Sequence, residues 1–338
     1  MVFASRGRRL VAAALTTMRA EALTTPLAQR IRSGPIYEAA KLGAVDVERW
    51  RAMGERVVSE LGLDAAAEST SKRIYEFYLP LYAWMRRRVP EERKKTVILG
   101  LHCPQGGGKT TMCDVLEGLF ERDGLSCVVA SIDDFYLTHA ELEALAARHA
   151  ANPLLAGRGP PGTHDARLLA STLDALRRPG TVAIPRYDKS AHAGKGDRRP
   201  AADWPAVQAP VDVVVLEGWC LGFRPKADTA DPHLRQIDDF LRTDLAPLYD
   251  TFFDAFVTLR VPDPNVVYTW REQAEAQLRA KGKPAMTQAQ IVAFVDRYMP
   301  LYKHYLPGLY ASDVVPGNTL NVAINERREP IPLQSSSR

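Results

Sequence analysis

Cysteine is scarce in this chain: four residues in 338, at Cys103, Cys113, Cys127 and Cys220, with no Cys-x-x-Cys pair. That usage excludes a disulfide framework and a cysteine-ligated zinc site, and it points to a reducing compartment with buried or half-buried thiols. A redox role for Cys103 is the lesser alternative. Long apolar runs are also missing. The longest near the N-terminus, "LVAAAL", falls far short of a membrane span, so no membrane partner is expected. No fixed-period repeat and no low-complexity tract beyond the closing "SSSR" is present, which excludes solenoids and arrays. A charged surface of one sign is lacking as well. Residues 1–35 hold six Arg, no Lys and one acid, so the remainder carries 38 basic against 39 acidic residues within a net charge of +4. A near-neutral body gives no electrostatic reason to bind nucleic acid.

The basic leader, "MVFASRGRRLVAAALTTMRAEALTTPLAQRIRS", is rich in Arg, Ala, Ser and Thr and poor in acids. Such composition suits an organelle transit peptide, and the alternative is an amphipathic N-terminal helix that docks on the body. Arg19 and Glu21 follow the apolar patch directly, against a secretory signal. A chloroplast is the expected destination, with a mitochondrion or the cytoplasm as alternatives. Residues 36–95 space apolar positions by three and four, as in "VERWRAMGERVVSELGL" and "KRIYEFYLPLYAWMRRR", which predicts helices, with Pro80 kinking or breaking the second.

From residue 96 the texture changes. "TVILGL", "LSCVVASI", "TVAIP", "VDVVVLEG", "AFVTLRV" and "TLNVAIN" read as strands, with "TVILGL", "TVAIP" and "VDVVVLEG" buried. Between them lie helical patterns such as "TTMCDVLEGLFERDG", "THAELEALAARHA", "THDARLLASTLDALRRPG" with Thr163 as N-cap, and "HLRQIDDFLRTDLAPLYDTF". Two further helical stretches surround "VVYTWREQAEAQLRA" and "TQAQIVAFVDRYM". Strands alternating with helices predict an α/β fold with a mostly parallel sheet covered on both faces, a three-layer sandwich over residues 96–338. The polar segment from Tyr187 to Asp203 has little periodicity and is either functional or disordered.

"CPQGGGKTT", residues Cys103 to Thr111, follows the first strand and opens a helix. A phosphate loop has Gly, four variable residues, then Gly-Lys-Ser/Thr, and here Cys103 stands at the first position. The rest fits. Gly106, Gly107 and Gly108 let the backbone curl around phosphate oxygens, Lys109 supplies a cation, and Thr110 offers a hydroxyl to Mg²⁺. Pro104, Gln105, Gly106, Gly107, Gly108, Lys109, Thr110 and Thr111 are therefore the candidate ATP ligands. Glu217, ending the apolar strand "VDVVVLEGW", is a candidate metal-binding carboxylate, or an ordinary strand-end acid. No guanine-reading Asn/Thr-Lys-x-Asp motif and no Ser-Gly-Gly signature occur, against a GTPase and a transporter ATPase. In "SIDDFYLT" two acids end the second strand, where ligands bind in open α/β sheets. Asp133 is the candidate general base and Asp134 a secondary group; both could instead reach Mg²⁺ through water, or cap the next helix.

Together "CPQGGGKTT", "SIDDFYLT", "GTHDARLL", "IPRYDKSAHAGKGDR", "LEGWCLGFRP" and "WREQAEAQLR" resemble the plant-type D-glycerate 3-kinases, more distantly similar to P-loop kinases of uridine, pantothenate and phosphoribulose. The resemblance implies a P-loop NTPase fold with a helical lid near residues 263–285. It also implies ATP and Mg²⁺ as cofactors, D-glycerate as the small-molecule partner, and phosphorylation of its 3-hydroxyl by a monomer. On the acceptor side it implies Asp134, Tyr136, His164, Asp165, Arg186, Tyr187, Asp188, Lys189 and Arg198, with Lys195 and Arg199 as further cations for the carboxylate. An acid at Asp165 is also what a helix start wants, and the basic segment could be a solvated face. Arg271, with Arg279 behind it, is the lid residue that would neutralise charge on the transferring phosphoryl group. Another hydroxylated acceptor on the same fold, or a nucleotide-binding module without turnover, are the alternatives.

Overall fold

The computed structural model describes residues 25–333, which fall into two compact units. One comprises residues 25–84 with 329–333 and is helical; the other comprises residues 85–328 and holds the sheet. The first 24 residues of the leader lie outside the described part.

In the helical unit, Thr25 caps the helix Pro26–Ser33 by accepting the Ala28 N–H at 3.2 Å. Its apolar face buries Ala28 and Ile31, while Arg30 pairs with Glu68 at 2.7 Å and Glu76 at 2.9 Å. The end of the basic leader is thus a docked helix. Helix Val47–Glu60 buries Val47, Trp50 and Val57. Beyond it, Pro80 does not break the chain as its sequence position suggests. A π-helical stretch, Lys72–Tyr78, precedes the α-helix Leu79–Arg86, and the Leu79 N–H reaches back five residues to the Ile74 carbonyl. Widening the turn relieves the clash a proline ring makes with the carbonyl one turn earlier.

The larger unit is built on β1 (Val97–His102), β2 (Cys127–Ser131), β3 (Gly180–Ala183), β4 (Tyr187–Asp188), β5 (Asp197–Arg198), β6 (Ala206–Ala209), β7 (Val213–Gly218), β8 (Ala255–Arg260) and β9 (Thr319–Ile324). Five of these form one parallel sheet in the order β9-β8-β1-β7-β2. β1 is buried at all six positions, as a strand covered on both faces must be. β3 departs from expectation. "TVAIP" is not a buried sheet strand; β3 pairs antiparallel with β6 in a separate ribbon and only Val182 of its four residues is buried. A short apolar run is equally compatible with either environment. The segment after Tyr187 is ordered, with β4 and β5 pairing antiparallel.

The helix expected to start after Thr163 instead begins at Ala166, because Asp165 caps it by accepting the Leu168 N–H at 2.9 Å. Thr163 is buried, its hydroxyl donating to the Pro160 carbonyl at 2.7 Å. A helix absent from the sequence reading, Met299–Ala311, carries Pro300 in its first turn and Pro307 inside, yet buries Leu301, Tyr302, Tyr305, Leu306 and Leu309 along one side.

Candidate active site

The register of the sheet assembles the site. Leu101 of β1 and Ser131 of β2 both stand opposite Glu217 of β7. The three strand ends therefore deliver the loop Cys103–Gly108, the acid pair Asp133–Asp134 and Glu217 to one edge of the sheet, the carboxyl edge where open α/β folds bind ligands.

The phosphate loop turns at Gly106 and Gly108, with φ of +82° and +88°, a region L side chains avoid. It leads into the helix Lys109–Arg122, whose first-turn amides have no acceptor within the helix and favour an anion. The Lys109 ammonium donates to the Cys103 and Pro104 carbonyls at 3.1 and 3.4 Å, so it lies folded over the loop. Cys103 is fully buried, with burial driving its thiol up to about 11. The Gln105 N–H donates to the Tyr302 hydroxyl at 3.0 Å. Outside the loop, Arg328 donates from Nε to the Gly106 carbonyl at 2.7 Å and from Nη1 to Gln273 at 2.9 Å, and lies 5.0 Å over the Trp270 ring. The Trp270 indole N–H is held by the Glu326 carbonyl at 2.7 Å. Sequence reading missed Arg328, Tyr302 and Trp270, since nothing local marks a residue two hundred positions away as a loop support.

Asp133, the candidate base, lies in the short 3₁₀ turn Ile132–Phe135 that follows β2. The Lys189 ammonium lies 2.6 Å from its Oδ2, and the Tyr136 hydroxyl donates to Oδ1 at 2.9 Å. Burial pushes the Asp133 carboxyl up, but Lys189 more than offsets it and leaves the group below the usual carboxylate range. Asp134 goes the other way. It ties down the acceptor segment, taking the Tyr187 N–H at 3.1 Å and Arg186 at 3.2 Å, and burial outweighs both, raising its pKa. Glu217 is also raised, by burial against the pull of Lys109, and its Oε2 is buried with no hydrogen-bond partner among the described residues.

His164 packs against this acid pair, stacked on Tyr136 at 4.5 Å. Both ring nitrogens are buried without a partner among the described residues, and burial lowers its pKa to about 4, so the ring is neutral near pH 7. Tyr187 is buried beside it, edge-on to Tyr136 at 5.3 Å.

Several site residues proposed from the sequence are committed elsewhere. Arg198 donates to the Tyr136 carbonyl at 2.7 and 3.1 Å and to Asp165 at 3.2 Å, fixing the segment that carries the base. Asp188 closes a turn by accepting the Ser190 N–H at 2.8 Å and hydroxyl at 2.5 Å. Lys195 pairs with Glu143 at 3.3 Å. In the helix Val266–Ala280, which spans the expected lid, Arg271 pairs with Glu275 and lies 4.7 Å over the Phe294 ring, while Arg279 bonds Glu272 and the Met286 carbonyl; Trp270 and Arg328 are what meet the phosphate loop. A residue absent from the sequence reading, Arg158, donates to the carbonyls of Gly194, Lys195 and Lys189 and so pins the whole basic segment.

A phosphate loop at the end of β1, an acid at the end of the neighbouring strand and a buried carboxylate just after the strand beyond define a P-loop kinase of a small acceptor. No family model matches the chain. Chloroplastic D-glycerate 3-kinase of Arabidopsis thaliana is 34% identical over 331 residues, covering 89% of this chain and 71% of that protein. The probable ATP-dependent kinase TDA10 of Saccharomyces cerevisiae is 38% identical over 246 residues, covering 67% and 83%. Among solved structures, D-glycerate 3-kinase from Cryptococcus neoformans var. grubii superposes with a TM-score of 0.66 at 32% identity, covering 77% of this chain and 96% of that one. The chain belongs to the D-glycerate 3-kinase family.

Proposed function

We propose that this enzyme transfers the γ-phosphoryl group of ATP to the 3-hydroxyl of D-glycerate. The observation that carries the reading is the Asp133 carboxylate, held ionised by Lys189 in the turn that follows β2, the strand beside Glu217, at the same sheet edge as the phosphate loop. An ionised carboxylate there accepts the proton of a bound hydroxyl as its oxygen attacks phosphorus in line. The new O3–P bond forms as the bond from phosphorus to the β–γ bridging oxygen breaks, leaving ADP.

Lys109 and the loop amides hold the outer phosphates. A magnesium ion fits the donor set at Glu217, whose buried Oε2 has no protein partner, and the Thr110 hydroxyl at the first helical turn. When bound, such an ion neutralises charge on the β- and γ-phosphates. Neutral His164, with both nitrogens unpartnered, is placed to hydrogen-bond an acceptor hydroxyl, and Tyr136 and Tyr187 wall the same pocket. The acid-poor leader and the chloroplastic name of the Arabidopsis relative support a plastid destination.

ADP release measured with D-glycerate, uridine, ribulose 5-phosphate and pantothenate tests the reading. Turnover restricted to D-glycerate is expected, and preference for any other acceptor contradicts it.

A further inference from the structure

Of the cations that the sequence offers for the acceptor's carboxylate, four already have partners, and the fifth, Arg199, is exposed in the field of Asp188. Arg186 meets Asp134, Lys189 meets Asp133, Arg198 meets Asp165 and Tyr136, and Lys195 meets Glu143. Arg158, which also reaches this region, gives N–H groups on both terminal nitrogens to three backbone carbonyls. A substrate carboxylate that drew one of these away would leave its acid or carbonyl partner unpaired, at a cost comparable to the bond gained.

A cation outside the basic segment is placed differently. Arg297 follows the helix Gln288–Asp296 and precedes Tyr298, and no hydrogen-bond or ion-pair partner is found for it among the described residues. Its guanidinium lies over Gly157, where an added Cβ would come 3.3 Å from Nη2, 3.9 Å from Nη1 and 4.0 Å from Cζ. Gly157 adjoins Arg158, the clamp of the acceptor segment, and then Gly159, whose added Cβ would lie 2.9 Å from the Tyr298 hydroxyl. Tyr298 is itself buried, and its hydroxyl feels the charges of Arg297, Asp133 and Arg158 together. Tyr298 thus follows the unpartnered guanidinium in the chain, packs against Gly159 beside the Arg158 clamp and lies within the field of Asp133. A planar guanidinium presents two parallel N–H groups to a carboxylate, a geometry a lysine cannot reproduce.

We propose that Arg297 is the residue that recognises the carboxylate of the acceptor. This inference rests on the reading of D-glycerate as acceptor. It explains why the acid-paired cations of the basic segment can stay where they are during turnover: they shape the pocket and keep Asp133 ionised, while Arg297 reads the substrate's charge.

The test is steady-state kinetics in both substrates for the full chain and two variants. Arg297→Met keeps an unbranched side chain of similar length without charge, and Arg297→Lys keeps charge without the fork. Arg297→Met should raise KM for D-glycerate by ~10–100-fold, the loss expected for a charge-assisted pair, with KM for ATP within about twofold of the wild type. Arg297→Lys should recover part of that loss. Wild-type KM for D-glycerate in Arg297→Met, a KM for ATP that rises in step, or equal losses in both variants would overturn the assignment. A wild-type chain inert toward D-glycerate would instead remove the acceptor reading itself, and this inference with it.

Discussion

The Sγ atom of Cys103 fills the space that a side chain at Gly107 would need: a Cβ built on Gly107 would come closer than 3.0 Å to it. Where the phosphate-loop pattern has glycine and then a free choice, this chain has a buried thiol and then an obligatory glycine. The bulk has moved from one side of the loop to the other. Gly107→Ala should therefore overpack the loop, costing about 1–3 kcal/mol and raising KM for ATP at least severalfold. Cys103→Gly combined with Gly107→Ala should recover much of both, whereas independent losses in the double variant would show that the two positions do not share the space. Thermal unfolding and ATP kinetics on the four proteins check this.

The same burial makes Cys103 a poor nucleophile. With its thiol raised to about 11 and no exposed surface, it carries almost no thiolate at pH 8. Iodoacetamide at that pH should leave activity intact on the timescale that modifies an exposed cysteine. Stoichiometric modification of Cys103 with parallel loss of activity, read by peptide mass spectrometry, would contradict the buried placement.

Asp133 and Lys189 make the pH dependence predictable. Asp133 must be ionised to act as a base, and its pKa is depressed, so activity is lost only as pH falls through a value below the ordinary ~3.9. His164, neutral above about 4, adds no break near the ordinary histidine range. In the wild-type kcat/KM profile for D-glycerate neither Asp133 nor His164 should thus give a break near neutrality, and an acid limb above the ordinary carboxylate range would belong to Glu217, whose pKa burial raises. Lys189→Met leaves burial unopposed, raises the Asp133 pKa and should move the acid limb upward into the measurable range. Asp133→Asn should cut kcat by ~10²–10⁴ with ATP binding nearly unchanged. An unshifted acid limb in Lys189→Met would show that Lys189 does not govern the base.

How much of this was legible in the chain divides along contact distance. "CPQGGGKTT" and "SIDDFYLT" carry their chemistry in consecutive residues, so loop, helix start and acid pair could be placed from spacing and strand ends alone. Arg158, Tyr302 and Arg328 could not, because each acts on a segment far away in sequence through a backbone carbonyl or amide, nor could Arg297 and Tyr298, which lie against the distant Gly157 and Gly159. Two of them, Tyr298 and Tyr302, flank the start of a helix that Pro300 and Pro307 hide from a propensity reading, although its 3–4 spacing of Leu301, Tyr302, Tyr305, Leu306 and Leu309 was there to be seen. The charge count of "IPRYDKSAHAGKGDR" was visible, but which of those cations were already paired was not.

The leader can be cut at two places with different outcomes. Removing residues 1–24 spares the helix Pro26–Ser33. Removing residues 1–34 exposes the surface that Ala28 and Ile31 cover and leaves Glu76 without Arg30. Ile31 is fully buried, so its loss alone is worth about 1.5–3 kcal/mol. The longer deletion should unfold several degrees earlier than the shorter one. Equal midpoints would show that the docked helix contributes no stability.

The most direct test of the catalytic account is proton-coupled ³¹P NMR of the product formed from ATP and D-glycerate. Attack by the 3-hydroxyl, deprotonated by Asp133, places phosphorus three bonds from the two hydrogens on C3, so the new monoester resonance should be split as a triplet. It should be absent when Asp133→Asn is incubated for the same time. A doublet, the pattern of a phosphate on C2, or an undiminished triplet from Asp133→Asn, would contradict the account.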